Sequence, residues 1–297
     1  MKPFQRGLSP EFIKALRNLS DEGWWRDVLD DDTLIIGIRH EYLDVYWRGQ
    51  SIFTVTLKNG RLDATTHPKY LLDPALSKRV EFDGHNFDID AMKNSGLIHV
   101  YEDGETLGKL KKAAGLFAGP EKSGVHDIVT GNDNVVDVEI AMSAGDVAGA
   151  GVLPRADIAT FEKGGDGAYL CFWEAKTFYN PELRTSGEKN VISQMEKYKT
   201  VVLHHREPII ESYTRVAGNL QAIADMSGGR RRISKSIRDV AQGAPLTVRQ
   251  PVDVGLIVFG FDAAQKKHTW EPLKDRLAAR MKTNRIKSAG EAKRIRL

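Results

Sequence analysis

The sequence predicts an α/β (α+β) protein in which a mixed central sheet is flanked by helices and preceded by an antiparallel, β-rich amino-terminal region. Three observations predict it. Residues 1–103 carry short strand-like runs divided by tight turns, residues 104–297 interleave strand and helix periods, and one stretch near 155–200 joins aromatic strand character to several ionisable side chains. The chain therefore divides into a β-rich domain, 1–103, and a second domain, 104–297.

In the first domain, runs at 33–38, 42–47 and 51–57 are rich in Ile, Val, Tyr and Trp and lie close together, as in an antiparallel meander. Asn59-Gly60 is a two-residue hairpin signal ahead of Arg61-Leu62-Asp63. Tyr46, Trp47, Arg48 and Gln50 offer a surface for nucleic acid, against the alternative that these aromatics are core.

In the second domain a helix is expected over 105–118. Strands follow at 135–141, 155–162 and 168–178, then helices at 187–204 and 209–226, a buried aliphatic strand at 252–261 and a closing helix at 271–282. The glycine-rich turn Gly164-Gly165-Asp166-Gly167 reads as the hairpin connection between the second and third of these strands. Period-2 alternation then places Glu174 and Lys176 on one strand face, with Trp173 and Ala175 on the other. Antiparallel pairing across the hairpin brings Asp157 beside Glu174.

Two carboxylates and an ammonium at one place suit phosphodiester hydrolysis. Magnesium prefers oxygen ligands, keeps several waters and needs only one or two protein carboxylates, here Asp157 and Glu174. A metal-activated water is then the nucleophile, and Lys176 either orients that water or offsets developing charge. On the helix after Thr185-Ser186, Gln194 and Tyr198 are four residues apart and share a face, where they bond nucleic-acid backbone or the site residues, or else pack as core.

Asp157, Glu174-Ala175-Lys176 and Gln194-Met195-Glu196-Lys197-Tyr198 together resemble the PD-(D/E)XK nuclease superfamily, in its RecB-like branch with a Gln-x-x-x-Tyr motif. The flanks Val136-Asp137-Val138-Glu139-Ile140-Ala141 and Asn180-Pro181-Glu182-Leu183-Arg184 extend the likeness over 120–200. One departure is Ala156, where the motif has proline. The resemblance implies a restriction-endonuclease-like core, catalytic roles for Asp157, Glu174, Lys176, Gln194 and Tyr198, and a Mg2+ cofactor for which Mn2+ substitutes.

Weaker candidates surround this set. Asp137 and Glu139 alternate with Val136, Val138 and Ile140, so the acids share a face, and Glu139 is either a further metal ligand or part of an exposed acidic surface. Glu121 is a candidate ligand on the preceding helix, whose limits Gly119-Pro120 and Gly124 blur. Arg184 is a candidate phosphate clamp or a surface arginine. A second Glu-x-Lys, Glu291-Ala292-Lys293, lies in an arginine-rich tail without strand alternation and reads as solvated surface. His126 is isolated, and the adjacent His204-His205 lack chelating spacing; surface and cap positions are expected. The one cysteine, Cys171, falls on an apolar strand and reads as core in a reducing, cytoplasmic setting.

Charge is distributed unevenly. The net +3 hides 17 Lys or Arg against 6 Asp or Glu in residues 228–297, a local +11. Arg230, Arg231, Arg232 and Lys235, with the stretch 276–296, are candidate phosphate contacts. Without a membrane-length apolar run, the expected partner is nucleic acid, DNA ahead of RNA, not a membrane. A homo-oligomer or a larger phage-defence or DNA-repair complex is compatible with this. The runner-up from another class is a non-cleaving nucleic-acid-binding or assembly module of the same fold.

Overall fold

The computed structural model describes residues 4–72, 83–86, 88, 90, 96–142, 155–185, 190–281 and 285–297. The chain is mixed α/β, with a four-stranded antiparallel sheet and a mixed six-stranded sheet flanked by helices. The first sheet has the order β1 (Ile35–Ile38), β2 (Tyr42–Trp47), β3 (Gln50–Lys58), β4 (Arg61–Thr65). Its β3–β4 turn is Asn59-Gly60, at φ 48° and 76°, the doubly left-handed geometry that matches the twist of a hairpin. Two helices that the meander pattern did not predict precede it, α1 (Pro10–Arg17) and α2 (Gly23–Asp30). The α1 start is encoded locally: Ser9 accepts the Phe12 amide proton, Pro10 occupies the first turn, and Phe12 and Leu16 share the buried face.

After α3 (Thr106–Gly115) and α4 (Pro120–Thr130) comes the larger sheet, ordered β10–β9–β7–β6–β5. Strands β5 (Val135–Ile140), β6 (Ala156–Gly164) and β7 (Gly167–Thr177) form an antiparallel meander. Strands β8 (Leu246–Thr247) and β9 (Val254–Phe259) both pair with β7 in parallel, and β10 (Ile286–Ala289) adds parallel to β9. The basic carboxy-terminal stretch, expected to hold a closing helix to 282 and phosphate contacts over 276–296, supplies an edge strand, and Ala292 and Ile295 beyond it are buried.

Helices α5 (Val191–His204) and α6 (Arg206–Met226) cover the face of the sheet that carries Phe172 and Leu256; α7 (Lys235–Ala241) follows, and α8 (Glu271–Met281) packs near α5. On the opposite face Trp173, Ala175 and Ile257 pack with Ile128 and Val129 of α4. Gly255 permits this: a Cβ there would fall 2.1 Å from the Trp173 ring. One contiguous apolar cluster runs from Phe12 and Val45 to Phe172 and Tyr198, so the two sheets share a core.

Strand β5 departs from strict alternation. Its pairing with β6 shifts between Val135 and Asp137, and Glu139 has φ 50°. Val136 and Ile140 consequently pack in the larger cluster and Val138 in the smaller, while Asp137 is buried. The expected division into an acidic and an aliphatic face therefore fails.

His126, expected at the surface, is buried on α4. Its Nδ1 accepts the Arg48 amide proton at 3.1 Å, and Trp47 meets the ring edge-on at 4.8 Å. Burial pushes its pKa down to about 4, and Arg48 and Lys111 add to this while Asp127 and Asp31 oppose it. A neutral native imidazole stabilises the fold fully above the unfolded pKa near 6.5, and that stability is lost as pH falls toward 4. Urea denaturation at pH 7.5 and 4.5 should show His126→Gln losing about 2.5 kcal/mol less than wild type. Equal losses would mean that His126 is not the titrating group.

Candidate metal and carboxylate site

The centre is assembled by strand register. Ile158 pairs with Trp173, which places Asp157 opposite Glu174, and one Asp157 oxygen accepts the Ala175 amide proton at 2.7 Å. Glu174 and Lys176 project from the same face of β7, with Lys176 Nζ 2.7 Å from Glu174 Oε1. Trp173 and Ala175 lie on the opposite face, as alternation requires.

Helix α5 closes the centre from above. Asn190 caps it by accepting the Ser193 amide proton; the expected start at 185–186 lies partly outside the described residues. Tyr198 is fully buried and its hydroxyl faces Glu174 without completing a hydrogen bond. Gln194 Nε2 donates to Glu182 Oε2 at 3.2 Å. Glu182, which the sequence reading included only in a flanking match, is 2.8 Å from Lys176 Nζ and so joins that lysine to Gln194. No motif spacing marks it: it sits on the short turn Pro181–Leu183, with Asn180 accepting its amide proton.

Burial raises the Asp157 pKa, the Glu174 carboxylate adds to the rise, and the Ala175 amide and Lys176 oppose it. Glu174 is likewise raised by burial, against the pull of Lys176. For Lys176 burial acts against the charge, but Glu174 and Glu182 outweigh it and hold the ammonium above the ordinary lysine range. Lys176 is therefore a fixed cation. Both roles considered for it, orienting a water and offsetting developing charge, suit this state.

The donor set suits a hard divalent cation. Gln194 Oε1 and Glu174 Oε2 are buried outside any hydrogen bond of full geometry, the Tyr198 hydroxyl reaching Glu174 only loosely, so acceptor oxygens are left under-satisfied around two carboxylates whose ionisation burial opposes. A cation relieves both costs. Among the described residues no three His, Cys, Asp or Glu form a metal cluster, which is compatible with magnesium, for which one or two carboxylates suffice.

The weaker candidates fall at the rim. Glu139 adds negative field at Asp157 but also lies 3.5 Å from Lys122 Nζ and 3.8 Å from Arg155. Glu121, in the first turn of α4, accepts from the Thr177 amide and Asn180 Nδ2 and so holds the end of β7 just beyond Lys176. Arg184 is exposed, stacked over Phe178 at 4.7 Å, and donates to the Phe178 carbonyl.

The basic candidates are not part of this centre. Arg231 donates to the Val28, Asp31 and Leu34 carbonyls, a structural clamp not foreseen from the sequence, and burial lowers its pKa to about 10. Arg230 pairs with Asp30 and Lys235 with Asp239; Arg232 is exposed. Glu291-Ala292-Lys293 forms a local exposed ion pair, 3.0 Å apart, remote in character from the buried triplet.

Glu182→Gln should keep the fold and weaken the hold on Lys176. The expected result is a 10- to 100-fold loss of metal affinity or activity, on the order seen for groups that orient a metal site, with less than about 1 kcal/mol lost in denaturation because Glu182 is half-exposed. Unchanged metal affinity and activity would remove Glu182 from the centre.

Compared with known proteins, the chain matches no family model, no curated protein and no solved structure. Among the described residues no helix is long and apolar enough to cross a membrane.

Proposed function

We propose that this protein is a metal-dependent nuclease that hydrolyses phosphodiester bonds in DNA, with RNA as a second substrate class. The observation that carries the reading is the register that sets Asp157 against Glu174 beside the Lys176 ammonium, with the acceptor oxygens Glu174 Oε2 and Gln194 Oε1 buried outside any full hydrogen bond. Asp157 and Glu174 would hold the magnesium ion. When bound, that ion supplies charge neutralisation at the phosphate and acidifies a water. Lys176 adds positive potential where negative charge develops on the phosphate, and Glu182 and Gln194 keep its ammonium in place. Tyr198 walls the centre and limits the water around Glu174. A restriction-endonuclease-like core and the RecB-like likeness of the motifs belong to the same reading.

The test is cleavage of linear, circular, single-stranded and double-stranded DNA, and of RNA, with magnesium or with chelator. Wild type is expected to cut at least one substrate only with the metal, and Asp157→Asn, Glu174→Gln and Lys176→Ala to cut it more slowly, on the order of 10³-fold. Metal-independent cutting, or equal cutting by wild type and variants, overturns the assignment. Strand binding with no cleavage by wild type would leave the non-cleaving nucleic-acid-binding module.

A further inference from the structure

A cavity of about 1110 Å³ lies along β5, the edge strand of the six-stranded sheet, and extends between β1, the end of β6 and β10. It is separate from the carboxylate centre: neither Asp157, Glu174 nor Lys176 lines it. Its charge is unbalanced. Seven Lys or Arg line it against four Asp or Glu. Two of those acids are already neutralised, Asp137 by Arg6 and Arg39, and Glu162 by Arg285 and Arg249. A third, Asp32, acts electrostatically on Arg231, and the fourth, Asp133, leaves one acid against the remaining cations.

The remaining cations converge from distant parts of the chain. Lys163 comes from the end of β6, Arg232 from the segment before α7, Lys287 from β10 and Arg296 from the carboxy-terminal segment. All four are exposed, and none makes an ion pair among the described residues. Holding like charges together around a concavity costs free energy unless an anion enters, and a concave low-dielectric wall strengthens the field at its mouth. The volume also exceeds the roughly 300–1,000 Å³ typical of pockets for small molecules.

We propose that this cavity binds the phosphates of a nucleic-acid strand. The inference rests on the proposed function only for the identity of the phosphate carrier. Lys163 lies six residues beyond Asp157 on β6, roughly 20 Å along the strand at ~3.3 Å per residue. About six nucleotides in duplex geometry, at ~3.4 Å of rise each, span that distance, and an extended single strand spans it with fewer. A strand occupying both places is thus longer than a mononucleotide, and Lys163, Arg232, Lys287 and Arg296 neutralise its backbone away from the bond that is cut.

The experiment is fluorescence anisotropy with a labelled single-stranded 12-mer in chelator, across a salt series. The variant Lys163→Gln/Arg232→Gln/Lys287→Gln/Arg296→Gln is compared with a control that removes four exposed lysines elsewhere, Lys14, Lys112, Lys266 and Lys267, each to Gln. The cavity variant should flatten the slope of log affinity against log salt by about three, four contacts at ~0.7 each. The control should change it by less than one. An unchanged slope, or the same change in the control, overturns the proposal. Complete displacement of the strand by a millimolar mononucleotide also overturns it, because the cavity would then take a free nucleotide. The binding assay is run in chelator and needs no cleavage, so a failed cleavage assay and a failed cavity remain distinguishable.

Discussion

Asp157→Asn is expected to move activity and stability in opposite directions. In chelator the variant should be more stable than wild type by about 0.5–2 kcal/mol, the gain common when a strained functional site is relieved. The cause is visible in the register: Asp157, half-buried, is held against the buried Glu174, and burial and the neighbouring charge hold both carboxyls above their usual range. Asparagine keeps an oxygen that accepts the Ala175 amide proton while removing the charge. With magnesium at 100 times its dissociation constant, wild type should gain about 2.7 kcal/mol and the variant none. Cleavage should fall on the order of 10³-fold, about 4 kcal/mol of lost transition-state stabilisation. Urea titrations with and without magnesium read the first two effects, and a cleavage time course the third. A variant that is less stable in chelator and responds to magnesium as wild type does would make the carboxylates an ordinary structural pair.

That opposition explains which parts of the site were legible in the sequence. Asp157, Glu174 and Lys176 could be placed because a hairpin and period-2 alternation are local rules, and the observed strands obey them. Gln194 and Tyr198 could be placed on one helical face for the same reason. Residues whose surroundings are non-local escaped. His126 looked isolated because Arg48, its hydrogen-bond partner, is 78 positions away. Arg231 looked like a phosphate contact because nothing nearby in sequence announces the three carbonyls it holds. Strand β10 was hidden by its short length and by charge: its pairing with β9, and not its own apolar content, makes it a strand. Asp137 shows the limit most clearly. Alternation assigned it to a face with Glu139, but a register shift and long-range arginines bury it.

Asp137→Ala should cost about 3–5 kcal/mol, the penalty for removing one member of a buried ion pair and stranding the other. Asp137 gathers four segments of the chain: Arg6 Nε donates to one oxygen at 3.1 Å and Tyr213 to the same oxygen at 3.0 Å, while Arg39 bonds the other. Arg39 is itself buried and retains the Asp44 carboxylate at 3.4 Å and the Val138 carbonyl at 2.9 Å. Loss of Asp137 would leave two guanidinium groups and the Tyr213 hydroxyl without their shared acceptor, in a place that water does not reach. The network ties the amino-terminal segment and the first sheet to β5 and α6, so its loss should loosen the larger sheet at the strand beside Asp157. Urea denaturation measures the cost, and the double variant Arg39→Met/Asp137→Leu apportions it. Apolar replacement of both should recover only part of the stability that Asp137→Ala loses, because Arg6 and the Tyr213 hydroxyl still lack their acceptor and Asp44 loses Arg39. A loss below about 1 kcal/mol for Asp137→Ala would show that the arginines find other partners, and β5 would then owe its position to apolar packing alone.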